Sequence, residues 1–368
     1  MDNTVGKVKS LSAKQLRSGW TTGACATAAT KAALSALVTG EFQNPVGIVL
    51  PKGDMPQFQL EITSFGKDQA TAGIIKDAGD DPDVTHGAMI MATVCFTQPG
   101  AGIVFQAGKG VGIITRAGLP IPPGEAAINP IPRKLMRGVI QEICNRYHLP
   151  ADLMVTITVP NGEKIAQKTW NPRLGILEGI SILGTTGIVH PFSCSAWIHS
   201  IYHSINVARK AQQSHVIGAT GSTSEDAAQA LYHLPDCALL NMGDFVGAVL
   251  KYLRSHPIKK LTLAGGFAKF TKLAQGALDL HSSRSQISKG FLWCIAESMG
   301  MKQNFKNQIL NANTAKEIFE IAIKNNINLA DSIAYKARNK ALETLRGTAT
   351  IVEVIVIDQE GSILARVG

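Results

Sequence analysis

Four aspartates and one histidine lie within ten positions of a single short segment, IKDAGDDPDVTHGA (residues 75–88). They are Asp77, Asp80, Asp81, Asp83 and His86. Crowded carboxylates raise one another's pKa, so one of them can hold a proton while its neighbours stay charged. That behaviour suits a general acid or base. A structural turn, in which aspartates bond their own backbone, has the same composition and is the alternative interpretation.

Two breaker residues indicate how this segment, called the acidic loop (75–88) below, is positioned. Pro82 disfavours a helical conformation at Asp81, and Gly79 suits a turn with positive φ. Alternating or β-branched runs precede and follow the segment, LEITSFGKDQATAGII and MIMATVCF. The pattern predicts a loop held between two strands, a common location for catalytic residues.

A helix is predicted from GWTTGACATAATKAALSALVTG, capped by Thr21 or Thr22, running to about Val38 and followed by Gly40. With Thr22 as the cap, the third helical residue is Cys25, so no capping box forms. The first amides are then expected to be available to an anion. An ordinary capped, alanine-rich core helix explains the same residues.

The stretch GIVFQAGKGVGIITRAGLPIPPGE places Gly108, Gly110 and Gly112 between strand-like runs. The spacing predicts a close backbone approach, either to a ligand or within a bulged hairpin. It is not a Walker A loop, and no helical pattern follows it. The next predicted elements are a helix at about 133–147, strands at 154–159 and 180–183, and a helix at 194–211.

From about His215 the order becomes strand, glycine loop, helix, repeated three times, which predicts a parallel sheet covered by helices. Ligands of such sheets bind at the carboxyl ends of the strands. The candidate cofactor-binding residues at those ends are Gly221, Glu225, Gly243, Asp244, Gly265 and Gly266. We therefore expect an N-terminal α+β domain with a mixed sheet (1–200) and a C-terminal Rossmann-like α/β domain with parallel strands (201–368), closed by a hairpin.

Composition narrows the class of protein. The 368 residues include 45% hydrophobic residues and 35 glycines, typical of a globular α/β protein. No apolar run is long enough for a membrane span, and residues 1 to 15 form a loose lead-in without the apolar core of a signal peptide, so we expect a cytoplasmic protein. The six scattered cysteines indicate reduced thiols. The net charge of +9 without a Lys/Arg block favours an anionic small molecule over a nucleic acid or membrane.

Taken together, several motifs make the sequence resemble the cobalt-precorrin-5B C1-methyltransferase family of anaerobic cobalamin biosynthesis. They are GWTTGACATAATKAA, KDAGDDPDVTHGA, GKGVGIITRAGLPIPPGEAAINPIPR, TWNPRLGILEGISILGTTGIVHPFS and MGDFVG, spanning residues 17 to 247. The C-terminal third matches less well. Where family members carry a histidine in the Gly-rich turn before a lysine, this chain has Phe267 followed by Lys269.

The resemblance implies methyl transfer from S-adenosylmethionine to C1 of a cobalt corrinoid, giving cobalt-precorrin-6A. Cobalt would belong to the substrate, and we expect no metal held by the protein alone. His199 and His203 have a metal-ligand spacing, but no acid lies between them. The sequence leaves the oligomeric state open.

The resemblance also assigns candidate roles. Asp80, Asp81, Asp83 and His86 are candidates for a catalytic base, or for binding the adenosine hydroxyls or the sulfonium. Arg17, near the first motif, is a candidate for clamping substrate carboxylates. The candidate substrate-binding residues are Thr21, Thr22, Gly23, Lys76, Asp77, Gly108, Gly110, Gly112, Arg116, Arg133, Arg173, Thr185 and Thr186.

Three other functions fit parts of the sequence. A non-catalytic corrinoid-binding pathway protein would bind corrinoid without the methyl donor. A phosphotransferase would use GKGVG to hold phosphates, and a nucleic-acid binder would use the positive charge.

Overall fold

The structure is a computed structural model that describes residues 16–368, and the lead-in predicted for residues 1 to 15 lies outside the described residues. The described chain divides into two compact units. The N-terminal unit comprises 16–112, Ala126–Thr169 and Glu178–Ser193, and the C-terminal unit comprises Ile113–Glu125, Trp170–Leu177 and Cys194–Gly368. Both contain helices and sheets, so the protein is a mixed α/β protein.

The helices of residues 16–368 are α1 (Thr22–Thr39), α2 (Pro130–Tyr147), α3 (Gly162–Ala166), α4 (Cys194–Lys210), α5 (Ser222–Tyr232), α6 (Val246–Leu253), α7 (Phe267–Ala274), α8 (Lys289–Ser298), α9 (Lys306–Asn311), α10 (Ala315–Lys324) and α11 (Leu329–Leu345). Short 3-10 helices lie at Asp236–Ala238 and Gln303–Phe305. None of these helices is long and apolar enough to cross a membrane.

The strands of the same residues are β1 (Gly19–Trp20), β2 (Val46–Gly47), β3 (Gln57–Phe58), β4 (Ile62–Phe65), β5 (Gln69–Ile75), β6 (Met89–Phe96), β7 (Ile103–Ala107), β8 (Gly110–Val111), β9 (Ile113–Ile114), β10 (Leu153–Thr158), β11 (Ile176–Leu177), β12 (Gly179–Ile180), β13 (Ile188–Val189), β14 (His215–Ala219), β15 (Leu239–Leu240), β16 (Lys260–Gly266), β17 (Ile351–Ile357) and β18 (Ile363–Val367).

The N-terminal unit is built on a five-stranded sheet of order β4-β5-β6-β10-β7. Its strands are antiparallel except for the parallel pair β7 and β10. Helices α1 and α2 pack against each other, and α1 lies on β5 and β6. The alanines of α1 are buried, because small side chains let its backbone approach the sheet and α2 closely. The predicted loop between two strands is confirmed, since residues 76–88 connect β5 and β6.

Two predicted elements of this unit differ from the structure. Helix α2 begins at Pro130 instead of Arg133, because proline is well suited to the first helical position, where its missing N–H is not needed. The predicted strand at 180–183 is wrong beyond its first residue. Strand β12 ends at Ile180, and only an isolated bridge joins Ile128 and Ile182.

The C-terminal unit contains a sheet of order β15-β14-β16-β17-β18. The first four strands are parallel. The edge strand β18 pairs antiparallel with β17, which confirms the predicted closing hairpin. Because parallel strands end at one edge, the loops after β14, β15 and β16 lie along that edge. A core of leucine, isoleucine, valine and alanine side chains from α4, α6, α7, α10 and α11 packs in this unit.

Candidate functional site

The acidic loop is clamped at its base by backbone hydrogen bonds. The amide of Lys76 donates to Ala88 O at 2.9 Å, and that of Gly87 donates to Lys76 O at 2.8 Å. Gly79 has φ +68°, and a Cβ there would lie 2.1 Å from Arg17 O. The chain before β1 therefore fits against the loop only because residue 79 is glycine, as its predicted turn conformation requires.

Asp77 is held by Arg17, which donates from both terminal guanidinium nitrogens. This hydrogen bonding is the main reason that the pKa of Asp77 falls to about 2, with the Gly79 amide contributing. The expectation that crowding raises the carboxylate pKa values is therefore wrong for Asp77. Arg17 and the Gly79 amide stabilise the charged form more than burial destabilises it.

Asp83 has a second cation, Lys76, whose Nζ lies 2.7 Å from Asp83 Oδ2. Burial opposes the charge on Asp83, but Lys76 and two hydrogen bonds from Thr85 outweigh it, so the pKa of Asp83 is lowered. The crowding expectation is wrong here too. Lys76 is only 1% exposed, so its ammonium group is occupied inside the loop and does not face solvent.

His86 lies at the exposed side of the loop, and its Nδ1 accepts a hydrogen bond from the Ala78 amide at 3.1 Å. A backbone amide can only donate, so Nδ1 must carry the lone pair, and the neutral ring carries its proton on Nε2. Neutral His86 therefore presents an N–H donor at Nε2 and no second lone pair. The geometry favours His86 as a hydrogen-bond donor over His86 as a base.

Asp80 and Asp81 each use one oxygen to fix a backbone segment. Asp80 Oδ2 accepts from the Arg17 amide at 2.7 Å, and Asp81 Oδ1 accepts from the Phe192 amide at 2.8 Å. Phe192 has φ +56° and a 67% exposed side chain. The second carboxylate oxygen of Asp81 has no partner within residues 16–368. Among residues 16–368, Asp80 and Asp81 are thus the loop carboxylates that form no ion pair.

The start of α1 differs from the expectation of free amides. Thr21 is the cap, and its hydroxyl accepts from the Ala24 amide at 3.1 Å. The Gly23 amide donates to Leu183 O at 2.9 Å, and the Thr22 hydroxyl accepts from the Leu183 amide. The expectation is wrong for Gly23, whose amide donates to the 183–187 turn, and for Ala24, whose amide donates to the Thr21 cap.

The 183–187 turn contains Thr185 and Thr186, the other two threonines among the candidate substrate-binding residues. The Thr186 hydroxyl donates to Ile188 O at 3.1 Å and therefore shapes the turn, whereas Thr185 is exposed.

Two of the three alternating glycines, Gly108 and Gly110, pack closely against other residues of the protein. A Cβ on Gly110 would lie 2.0 Å from Val159 O, and one on Gly108 would lie 2.1 Å from the Thr158 hydroxyl. The Gly112 amide donates to Ile180 O at 2.9 Å. Packing against residues 157–159 accounts for Gly108 and Gly110.

The three arginines of the predicted substrate set have different surroundings. Arg133 donates to the carbonyls of Ile128 and Ala126, where it stabilises the chain before α2. Arg116 is exposed and contacts Arg173 O at 3.4 Å. Arg173 lies over the Trp170 ring and donates to Glu225 Oε1 at 2.7 Å. Its hydrogen bond to Glu225 is the main reason that the pKa of Arg173 is raised.

The candidate cofactor-binding residues lie at the carboxyl edge of the C-terminal sheet. Gly221 and Gly266 are the N-caps of α5 and α7, and neither helix has a side-chain cap. Glu225 lies in the first turn of α5, beside Arg173. This pair therefore brings the NPRLG motif to the same helix end as a predicted cofactor residue.

The remaining candidates of this set are Gly243, Asp244 and Gly265. Gly243 has φ +53°, and a Cβ on Gly265 would lie 2.7 Å from the Thr220 hydroxyl. Asp244 pairs with Lys269 at 2.5 Å. Gly243 and Gly265 therefore set the backbone conformation and close packing at this edge of the sheet. The charge of Asp244 is neutralised by Lys269, which follows β16.

No group of three or more His, Cys, Asp or Glu side chains in the described part of the chain is arranged to hold a metal ion. His203 is mostly buried on α4, and burial, followed by the charge of His199, lowers the pKa of its ring. The surroundings of His203 favour a neutral helix residue.

Comparison with known proteins decides the family. The family model CbiD matches residues 9–191, and the model for the CbiD C-terminal domain matches residues 279–368. The chain is 66% identical over 366 residues to cobalt-precorrin-5B C(1)-methyltransferases of Brucella anthropi and Brucella canis, covering 100% of each chain. The chain belongs to the CbiD family.

A solved structure of a CbiD relative is also similar in sequence. The crystal structure of a cobalamin biosynthesis protein (cbiD) from Archaeoglobus fulgidus is 27% identical, with 73% of this chain and 83% of that chain covered and a TM-score of 0.39.

The matched ranges of the CbiD models include the acidic loop and the closing hairpin, but not residues 192–278. The candidate cofactor residues 221–266 lie in that interval. Phe267 is buried at the start of α7, with its ring 4.8 Å from the Phe319 ring. An apolar contact therefore occupies the position at which the resemblance predicts histidine.

One polar residue of this CbiD chain was not predicted from the sequence. Lys272 is buried and donates to Leu280 O at 2.8 Å, next to the Lys269–Asp244 pair. Burial, followed by the charge of Lys269, lowers the pKa of Lys272. The Lys-x-x-Lys spacing at 269 and 272, which places both lysines on one helix face, was the available signal.

Proposed function

We infer that the chain is a cobalt-precorrin-5B C(1)-methyltransferase. It transfers a methyl group to C1 of cobalt-precorrin-5B to give cobalt-precorrin-6A in cobalamin biosynthesis. The observation that carries this conclusion is the 66% identity, over the full length, to relatives of that name. The family match across the acidic loop supports it.

The methyl donor that we propose is S-adenosylmethionine, with S-adenosylhomocysteine as its product. Its sulfonium supplies an electrophilic methyl group, and the electron pair for the new carbon–carbon bond comes from the corrinoid ring. The protein's contribution is to align the two reactants, since positioning accounts for much of the rate of such a transfer.

The carboxyl edge of the C-terminal sheet has groups that fit a nucleoside ligand. Uncapped N-termini of α5 and α7 offer backbone amides, and Glu225 and Asp244 offer carboxylates that can accept from ribose hydroxyls. The four parallel strands with helices between them support a Rossmann-like C-terminal domain. A division of the chain near residue 200 is part of the same proposal.

The acidic loop is the proposed acid–base element. Asp77 and Asp83 are paired with Arg17 and Lys76, so their carboxylates are weak bases. Asp80 and Asp81 have no cationic partner within the described residues. Asp81 or Asp80 accepts the proton that the corrinoid loses on methylation, and the Nε2–H of His86 can donate to a substrate carboxylate.

Substitution of each loop acid tests this assignment. Asp81→Asn and Asp80→Asn should lower kcat while leaving binding of S-adenosylhomocysteine unchanged. Asp68→Asn, an exposed acid in the β4–β5 turn, is the matched control and should keep full turnover. Anaerobic turnover and calorimetric titration provide the two measurements. Normal turnover in both loop variants would contradict the assignment of the base to Asp80 or Asp81.

A second pair of variants tests the proposed cofactor location. Glu225→Gln and Asp244→Asn should weaken S-adenosylhomocysteine binding by roughly tenfold, because each removes a charged hydrogen-bond acceptor. Glu320→Gln, on the exposed side of α10, should bind normally. Corrinoid binding without any binding of the methyl donor or its product would instead favour the non-catalytic carrier.

The remaining parts of the proposal concern location and partners. We propose a cytoplasmic enzyme, monomeric or homo-oligomeric, whose partner is the corrinoid and which has no nucleic-acid or membrane partners. Binding to arbitrary DNA that falls steeply with salt would contradict the nucleic-acid part.

A further inference from the structure

A cavity of about 410 Å³ lies at the amino-terminal edge of the C-terminal sheet. The end of α4 and the chain before β16 form its walls, contributing Arg209, Lys210, Gln212, Gln213, Pro257, Ile258 and Lys259. The cofactor residues proposed above lie at the opposite, carboxyl edge of the same sheet, where β14 and β16 end. The cavity is therefore separate from the proposed cofactor location.

The charge around this cavity is entirely positive. Arg209, Lys210 and Lys259 are exposed, and none of the three side chains has an anionic partner within residues 16–368. No carboxylate is among the lining residues. Three like charges around one cavity repel one another, and an anion placed between them would remove that repulsion.

Cations at a helix end can instead serve only to offset the helix dipole. In α4 the last carbonyls already have backbone partners. The amides of Ala211, Gln212 and Gln213 donate to Val207 O, Arg209 O and Ala208 O at 2.8–3.0 Å. Lys259 does not belong to a helix. The dipole therefore accounts for at most two of the three cations.

The lining groups define the chemistry of a ligand. Arginine forms paired hydrogen bonds to planar carboxylates and to phosphates, and lysine contributes a point charge. Gln212 and Gln213 add neutral donors and acceptors, and buried Ile258 forms an apolar part of the wall. We propose that this cavity binds a small polyanion with at least two phosphate or carboxylate groups.

The test is titration of the full-length protein with pyrophosphate and, separately, with citrate, at low and constant ionic strength. Saturable binding that weakens with added salt is expected, because the cations are exposed and screened. The R209Q/K259Q variant should bind about tenfold more weakly, since two charge-assisted contacts are lost. Binding of pyrophosphate alone would assign phosphate, and binding of citrate alone would assign carboxylate.

The matched control is K324Q. Lys324 is an exposed cation in the last turn of α10, as Arg209 and Lys210 are in the last turn of α4. It should bind both anions as the unchanged protein does. Because K324Q removes one charge and R209Q/K259Q removes two, a weakening in K324Q that is half the logarithmic loss of R209Q/K259Q would reduce the effect to net charge and overturn the proposal. The absence of saturable binding of both anions would overturn it too.

Two further measurements separate this proposal from others. R209Q/K259Q should bind S-adenosylhomocysteine normally, so failure of the anion site and failure of the proposed function are distinguishable. Tight binding of an arbitrary DNA duplex that is lost in R209Q/K259Q would identify a nucleic-acid surface and overturn the small-anion site.

Discussion

Arg17 holds two carboxylates of the acidic loop in different ways. Its guanidinium pairs with Asp77, whereas its backbone amide donates to Asp80. The guanidinium stabilises the negative charge of Asp77 with a full positive charge. The backbone amide holds one oxygen of Asp80 in place but carries no charge to neutralise it. Residues of the same type, three positions apart, are thereby given different chemistry by their partners.

At the residue scale, the tautomer of His86 is testable. Because Nδ1 accepts from the Ala78 amide, neutral His86 should carry its proton on Nε2. Nitrogen-15 NMR of the histidine rings measures this directly, with His86→Gln used to assign the signal. A proton on Nδ1 of neutral His86 would contradict the proposed donor role.

Lys76→Met should destabilise the protein by about 2–4 kcal/mol, because it leaves the largely buried Asp83 without its cation. The pKa of Asp83 is lowered in the folded state, so its stabilisation is present above the ordinary aspartate pKa and is lost as the pH falls. The difference between the two proteins in urea unfolding should therefore shrink at acid pH. Lys67→Met, in the exposed β4–β5 turn, should change stability by less than about 0.5 kcal/mol.

At the scale of elements, α1 and α2 meet at a glycine. A Cβ on Gly23 would lie 2.6 Å from the Pro132 side chain and 3.0 Å from Leu183 O. The small residues of α1 thus let the helix lie against both α2 and the 183–187 turn. Leu183 of this turn accepts from the Gly23 amide, which the sequence alone predicts to be available to an anion.

Gly23→Ala should therefore destabilise the protein by about 1–3 kcal/mol through overpacking. Gly138→Ala is the matched substitution, since Gly138 is exposed on α2 and has no atom within 4 Å of its added Cβ. That change should stabilise by about 0.5–1 kcal/mol, because alanine has the higher helix propensity. Equal effects of the two substitutions in thermal unfolding would contradict the close packing.

At the scale of the whole molecule, each unit has a core of its own. In the C-terminal unit, one buried carboxylate connects three neighbouring strands of the sheet and a helix through hydrogen bonds. Glu353 on β17 is 1% exposed. It accepts from Thr262 on β16 at 2.7 Å, from Arg366 on β18 at 2.9 Å, and from Tyr232 on α5. Burial opposes its charge, but these donors and Lys260 outweigh burial, so the pKa of Glu353 is lowered.

Glu353→Gln should cost about 2–4 kcal/mol at neutral pH, because Arg366 and Lys260 lose their anion while the side-chain volume stays the same. The lowered pKa makes the stabilisation by Glu353 present above about pH 4.5 and lost as the pH falls below it. Since Glu353 and Lys76 share no partner, the effects of Glu353→Gln and Lys76→Met should add in the double variant. Strong non-additivity in urea unfolding would contradict two independent networks.

Much of the local structure could be read from the sequence. Helix α1 with its threonine cap, the loop between β5 and β6, and the parallel strands of the C-terminal unit follow from spacing, breakers and periodicity. The end of β12 could not, because it depends on a neighbour distant in the chain, whereas the start of α2 had a local signal in Pro130. Leu183, for example, bonds to α1 and not to a strand.

The sequence by itself determined the family, the loop that carries the acids and the order of the elements, because these depend on residue type and short-range spacing. Only the tertiary structure decided which carboxylates have cationic partners. Arg17 lies 60 residues from Asp77, and Arg173 lies 52 residues from Glu225. Asp81 instead accepts from the uncharged backbone amide of Phe192, 111 residues away. Ionisation depends on the groups that folding brings within a few ångströms, and that distance is not encoded in local pattern.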